Sequence, residues 1–194
     1  MKTLTTIKNI PKKNNDEFTA YIGMLIALGS FAMLFIALLA SYAVLRVRGD
    51  LWMSNSIGMP SILIAWLNTG VISLSSYTYF LGSRSVNVKP TRILKKWLYT
   101  TIILGLFFLI LQLTLWYILK NEGFTITSHQ AGAVFYMLSG LHGLHVLVAI
   151  ITLIWLFYQI RKLDNYSNPV KLVGMFWHFL TIVWMVIFLS VILI

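Results

Sequence analysis

Two histidines, His142 and His145, stand three residues apart inside the apolar segment FYMLSGLHGLHVLVAI, residues 135–150. Residues three apart lie on the same face of a helix, so both imidazoles can face one neighbour. A polar side chain is costly in so apolar a segment and needs a reason to be there. Metal binding, haem ligation, proton transfer and tight helix packing would each supply one.

Few other residues could complete a metal or haem site. The chain contains no cysteine; His178 is the only other histidine deep in an apolar segment, because His129 falls at the edge of one. A zinc site needs three or four ligands, and intramembrane proton paths typically use carboxylates. The acidic residues all lie outside the long apolar runs: Asp16, Glu17, Asp50, Glu122 and Asp164. The sequence therefore favours packing, and we expect no catalytic, cofactor-binding or metal-binding residue in this chain.

Long apolar segments must position these histidines. Of the 194 residues, 59% are hydrophobic and 10% are charged, whereas a soluble domain has roughly 25% charged residues. A membrane-spanning helix needs roughly 20 apolar residues. Five stretches reach that length: residues 18–45, 60–81, 97–119, 131–158 and 172–194. We predict an all-α integral membrane bundle, with one five-helix domain over residues 18–194 after a cytoplasmic tail, residues 1–17.

The positive charges predict the orientation of the bundle. Of the 15 lysines and arginines, only Arg46, Arg48 and Lys120 follow the first or third segment; the other twelve lie in the tail or follow the second or fourth. Such an excess marks the cytoplasmic side, so we predict a cytoplasmic N-terminus and an outside C-terminus. His145 and His178 would then differ in depth by roughly 10 Å, too much to share one metal or haem.

Small and hydrogen-bonding residues indicate how the helices would pack. Ser139 and Gly143 form a small-xxx-small pair, next to Gly140, that allows another helix to approach closely. Each imidazole N–H needs a partner, either across a helix interface or at a lipid headgroup. Asn68 and Gln112 are further candidates for hydrogen bonds between helices.

Five segments also match a known pattern of membrane helices in order and spacing. FYMLSGLHGLHVLVAI is similar to FYxLTGxHGxHV, and FWHFLTIVWMVIFLSVILI, with Trp177 and His178, is similar to WHFVDxVWxFLF. LNTGVISLSSYT is similar to LNTxLLLxSSxT, and WLYTTIILGLFFLILQLTLW to WLxxTxxLGxxFLxxQxxEW. YIGMLIALGSFAMLFIALLASYAVLR is similar to LASEVMFF…YFxLR. Together the segments resemble the cytochrome c oxidase subunit III family, in its short five-helix bacterial form.

The resemblance implies an accessory subunit of a haem–copper terminal oxidase in aerobic respiration. In that family the haem and copper lie in catalytic subunit I, and subunit III packs on it, beside subunit II and other subunits of the complex. Subunit III also binds phospholipid and supports proton uptake and turnover stability. The implied location is the bacterial cytoplasmic (inner) membrane. The residues then form a helix-packing and lipid-contact signature: Asn68, Gln112, Ser139, Gly140, His142, Gly143, His145, Trp177 and His178.

The sequence departs from the family pattern at three carboxylates. Phe31 replaces the usual glutamate of the first helix, Leu115 the glutamate before the tryptophan of the third, and Thr181 the aspartate of the last. Any role of a buried acid, including reaction with carbodiimides, is therefore not expected here. The packing role is unaffected.

Other functions remain open at this point. The equivalent subunit of a quinol oxidase and a nitric oxide reductase accessory protein share the pattern. An independent transporter is less favoured, because the spans contain no carboxylate.

Overall fold

The computed structural model describes residues 12–48, 58–85, 91–123, 130–160 and 167–193. Over these ranges the chain forms α-helices and no strand. The helices are α1 (Lys12–Arg48), α2 (Met59–Arg84), α3 (Thr91–Asn121), α4 (Gln130–Gln159) and α5 (Ser167–Ile187), the last continuing as a π-helix over Phe188–Leu193.

Each helix contains a stretch long and apolar enough to cross a membrane: Glu17–Leu45, Met59–Arg84, Arg92–Asn121, Gly132–Gln159 and Ser167–Ser190. The prediction of an all-α chain with five such helices is confirmed. Several helices extend past the predicted segments, because polar side chains can continue a helix into the headgroup zone. The predicted tail, residues 1–17, lies mostly outside the described residues, and α1 begins inside it. The orientation in the membrane stays a prediction.

The helices pack as an antiparallel hairpin with further helices laid against it. The helices α2 and α3 make the most extensive contact, while α5 packs against α2 and α4, and α4 against α3. The span of α5 is 50% buried, but that of α1 only 6%. The bundle therefore has α5 at its centre and α1 at its edge, lying mainly on α4 and α5.

Two glycines allow aromatic rings to lie against helix backbones in the centre of the bundle. A Cβ on Gly174 of α5 would lie 2.6 Å from the Tyr79 ring of α2, and a Cβ on Gly105 of α3 would lie 2.8 Å from the Trp177 ring. Real Cβ atoms do not approach other atoms so closely. Small residues at such contacts let helices pack at short range. The Tyr79 hydroxyl also donates to the Val170 carbonyl at 2.6 Å, which joins α2 to α5.

A carboxylate joins the end of α3 to the start of α2. Glu122 follows α3, and its Oε2 accepts hydrogen bonds from the Gly58 backbone N–H at 3.2 Å and the Ser61 hydroxyl at 2.8 Å. Both donors lie at the first turn of α2, where backbone N–H groups lack helical partners. Glu122 therefore caps a helix that is distant in sequence.

Candidate packing and subunit-contact site

His142 lies where four helices converge. Its side chain is fully buried, and its ring lies 5.2 Å from Trp184 of α5, 5.9 Å from Phe108 of α3 and 6.3 Å from Phe35 of α1, centroid to centroid. Neither ring nitrogen has a hydrogen-bond partner in the part of the chain that the structure describes. Aromatic rings occupy the positions around His142, and the described residues include no partner for its N–H.

His145 lies one turn further along α4, at the contact with α1. Its Nδ1 donates to the Leu141 carbonyl of its own helix at 2.6 Å, so the partner is neither another helix nor a headgroup. Its ring meets the Phe31 ring edge-on at 4.7 Å between centroids, and Phe35 at 5.7 Å. Side chains of α1 therefore cover one side of this half-buried imidazole.

His178 makes a hydrogen bond between helices α5 and α2. Its Nδ1 lies 2.6 Å from the Ser76 hydroxyl of α2, and its ring meets Tyr79 edge-on at 5.7 Å. It forms no group with His142 or His145. Over the described ranges, no three histidine, cysteine, aspartate or glutamate side chains lie close enough to hold a metal ion; His129 falls outside those ranges.

Two other polar pairs join neighbouring helices. Asn68 of α2 donates to Gln112 of α3 at 2.8 Å, with both side chains buried. Trp116 of α3 donates through its indole N–H to the Ser139 hydroxyl of α4 at 3.1 Å, and the same indole lies 3.7 Å from a Cβ placed on Gly140. The structure thus brings Asn68 to Gln112, and Ser139 and Gly140 to Trp116.

Gly143 lies on an open part of α4. A Cβ at this position would meet no atom within 4 Å among the described residues. At Ser139 the contact with α3 is made by the Trp116 side chain, so the described residues show no close backbone approach at the Ser139–Gly143 pair. At Gly143 it stays a prediction about a helix of another chain.

At the three positions without the family carboxylate, the side chains make ring contacts, apolar packing or a hydrogen bond within their own helix. Phe31 packs against His145 and against Phe176, whose ring centre lies 6.0 Å away. Leu115 is buried in an apolar cluster with Leu119 and Phe135. Thr181 donates to the Trp177 carbonyl of its own helix at 3.1 Å. None of these positions offers a carboxylate to its neighbours.

Several contacts at the centre were not predicted from the sequence. The indole N–H of Trp184, a fully buried residue, donates to Thr69 at 3.1 Å, and Tyr79 lies across Gly174. A buried tryptophan or tyrosine usually has a hydrogen-bond partner for its polar atom. The sequence could therefore have predicted that Trp184 and Tyr79 each have a partner. The identity of that partner depends on helix register, which the sequence does not show.

In the described ranges the three histidines have separate surroundings and form no group of potential metal ligands. Three aromatic rings surround His142, an own-helix carbonyl occupies one nitrogen of His145, and Ser76 occupies one of His178. The arrangement holds helices together, and among the described residues the half-buried His145 keeps Nε2 without a hydrogen-bond partner.

Comparisons with known proteins agree with the pattern of the helices. The sequence model of the family described as cytochrome c oxidase subunit III matches residues 17–194. A "Probable cytochrome c oxidase subunit 3" from Nocardia farcinica is 31% identical over 178 residues, which cover 88% of this chain and 85% of the relative. A "Cytochrome bo(3) ubiquinol oxidase subunit 3" from Buchnera aphidicola is 29% identical, covering 94% of this chain and 92% of the relative. A "Probable quinol oxidase subunit 3" from Staphylococcus aureus is 28% identical, covering 81% and 80%.

Proposed function

Because the chain belongs to the cytochrome c oxidase subunit III family, we propose that it packs on the catalytic subunit I of a haem–copper oxidase in a bacterial cytoplasmic membrane. There it binds phospholipid, supports proton uptake and keeps the enzyme active over many turnovers. It carries no redox centre: the haem and copper belong to subunit I.

The match over residues 17–194 carries this proposal. The contacts of the polar side chains also support the proposal. Most polar side chains in the described ranges make hydrogen bonds between helices or within a helix. Asn68 bonds to Gln112, Ser139 to Trp116 and His178 to Ser76. A chain whose polar groups hold its own helices together is suited to a packing role in a larger complex.

The second candidate is the same subunit in a quinol oxidase. The relatives named for quinol oxidases are 29% and 28% identical to this chain, close to the 31% of the first relative. The two candidates differ in the electron donor, which subunit III does not bind in this family. The packing role proposed here is the same for both.

The test is the isolation of the chain with its natural partners. The chain would carry an affinity tag in its own membrane and be purified in a mild detergent. We expect a large subunit to co-purify, with a visible spectrum of haem and a stoichiometric copper content. Oxygen uptake with reduced cytochrome c, with a quinol, or with neither then assigns the donor, and nitric oxide consumption tests the reductase alternative.

The result against the proposal is a stable protein that purifies alone and contains no haem. A preparation that consumes nitric oxide but no oxygen would assign the chain to a reductase complex.

A further inference from the structure

His145 presents a hydrogen-bond acceptor that no residue in the described part of the chain uses. A carbonyl oxygen only accepts, so the short contact with Leu141 requires that Nδ1 of His145 carry the proton. In the neutral imidazole the other nitrogen, Nε2, then has a lone pair and no proton. Across the ranges that the structure describes, His145 makes no second hydrogen bond.

The depth of His145 excludes lipid as the partner of this nitrogen. His145 is the fourteenth of the 28 residues in the span Gly132–Gln159, so roughly 20 Å of helix extends to each side. The hydrocarbon core is about 30 Å thick, and its centre is about 15 Å from the nearest headgroup. Acyl chains have no N–H or O–H group, and the core contains no water to replace one. A donor at this depth must come from protein.

One flank of His145 is open to such a donor. Successive residues of a helix are about 100° apart, which places Val146 and Ala149 on one side of His145 and Leu144 and Val148 on the other. Val146 is 0% exposed and Ala149 is 1% exposed, whereas Leu144 is 58% and Val148 is 45% exposed. The open flank is therefore the Leu144–Val148 edge of α4.

A second copy of this chain would not satisfy the nitrogen. Most dimers of identical chains are two-fold symmetric, so the same patch of surface meets itself. At the Leu144–Val148 edge, this would place His145 against leucine, valine or another His145 whose N–H is already used by a carbonyl. None of these groups donates a hydrogen bond. A symmetric pair of copies therefore leaves Nε2 unbonded, which favours a different chain as the source of the donor.

We propose that Nε2 of His145 accepts a hydrogen bond from a hydroxyl, indole or amide N–H on a membrane helix of the catalytic subunit, packed along the Leu144–Val148 edge of α4. This inference rests on the proposed function, which supplies the neighbouring subunit. It identifies a contact residue and the chemistry of its partner.

The test compares two substitutions at the same position. His145→Gln keeps an acceptor oxygen at similar reach, whereas His145→Leu keeps the size and removes the acceptor. Each tagged oxidase would be purified in increasing detergent, and the ratio of this chain to the catalytic subunit measured by quantitative mass spectrometry. A hydrogen bond between membrane helices contributes only a modest free energy. We therefore expect the ratio of this chain to the catalytic subunit to fall about threefold to tenfold in His145→Leu and to change less than twofold in His145→Gln. Equal retention of His145→Leu and the wild type would overturn the inference.

A second measurement keeps the inference testable if His145→Leu lowers the amount of chain in the membrane. A benzophenone amino acid at Leu144, with His145 intact, would be photoactivated in native membranes. We expect a cross-link to the catalytic subunit, and a cross-link only to lipid or to another copy of this chain would refute the inference. The proposed function fails separately, if the wild-type chain co-purifies with no oxidase.

Discussion

The contact between Gly174 and Tyr79 gives the sharpest prediction about stability. In Gly174→Ala, the new Cβ would lie 2.6 Å from Cε1 of Tyr79 and 3.4 Å from Cδ1 and Cζ. The ring has little freedom to retreat, since Tyr79 is buried and its hydroxyl is bonded to Val170, one turn from Gly174. Either the helices separate or the hydroxyl leaves its carbonyl.

The expected cost combines three effects. Overpacking of a tight core costs about 1–3 kcal/mol, and losing the hydrogen bond of Tyr79 costs about 0.5–1.5 kcal/mol more. Alanine returns up to about 1 kcal/mol over glycine through its helix propensity. Together these effects predict that Gly174→Ala lowers the free energy of unfolding by about 0.5–4.5 kcal/mol.

Gly143→Ala is the matched control, because a Cβ there meets no atom within 4 Å among the described residues. Both variants make the same chemical change in the interior of a membrane helix. Unfolding of the purified chain would be followed by circular dichroism as a denaturing detergent replaces a mild one. We expect Gly143→Ala to be as stable as the wild type or slightly more stable. Adding Tyr79→Leu should remove most of the additional cost of Gly174→Ala, and equal stability of the two alanine variants would refute the reasoning.

Four further predictions follow from the same contacts. His142→Leu should raise the free energy of unfolding by about 1–3 kcal/mol, since it removes buried nitrogens that lack partners in the described part of the chain; a loss of stability in the same assay would contradict this. Glu122→Ala should lower it by about 0.5–2 kcal/mol, because the donors at the start of α2 lose their acceptor, whereas Glu122→Gln should retain part of the effect. Gly143→Leu should leave the isolated chain as stable as the wild type and weaken its retention in the purified oxidase; full retention would show that no partner helix packs there. A hydrophobic carbodiimide should leave residues 18–45 unmodified, as these contain no carboxylate, and an adduct found there by mass spectrometry would contradict the alignment at Phe31.

The sequence predicted those features of the structure that depend on a single segment or a single residue type. Length and apolar character predicted the five helices, because a span in lipid must satisfy its own backbone hydrogen bonds. Asn68 and Gln112 were each recognisable as candidates for helix contacts, since a buried amide needs a partner. Their pairing with each other follows from the register of α2 against α3, which no residue of either helix reveals alone.

The histidine pair shows why the remaining contacts could not be predicted. His142 and His145 share a face of α4, but that face is divided between the centre of the bundle and the contact with α1. One ring is therefore enclosed by aromatic side chains, and the other keeps an open flank. Gly174 and Gly105 were missed for a similar reason, because a glycine in a membrane helix does not indicate which ring will lie against it.

The position of α1 at the edge of the bundle has a consequence for biosynthesis. This helix packs mainly on α4 and α5, which leave the ribosome long after it. At about 5–20 residues per second, the roughly 110 residues from the end of α1 to the end of α4 take on the order of 6–22 s to synthesise. During that interval α1 stays in the membrane without the helices it packs on, while the hairpin of α2 and α3 can already close. Membrane proteases and insertion chaperones would therefore encounter α1 as a single unpacked helix. In nascent chains that stall before α4 is made, we expect proteolysis to begin in α1.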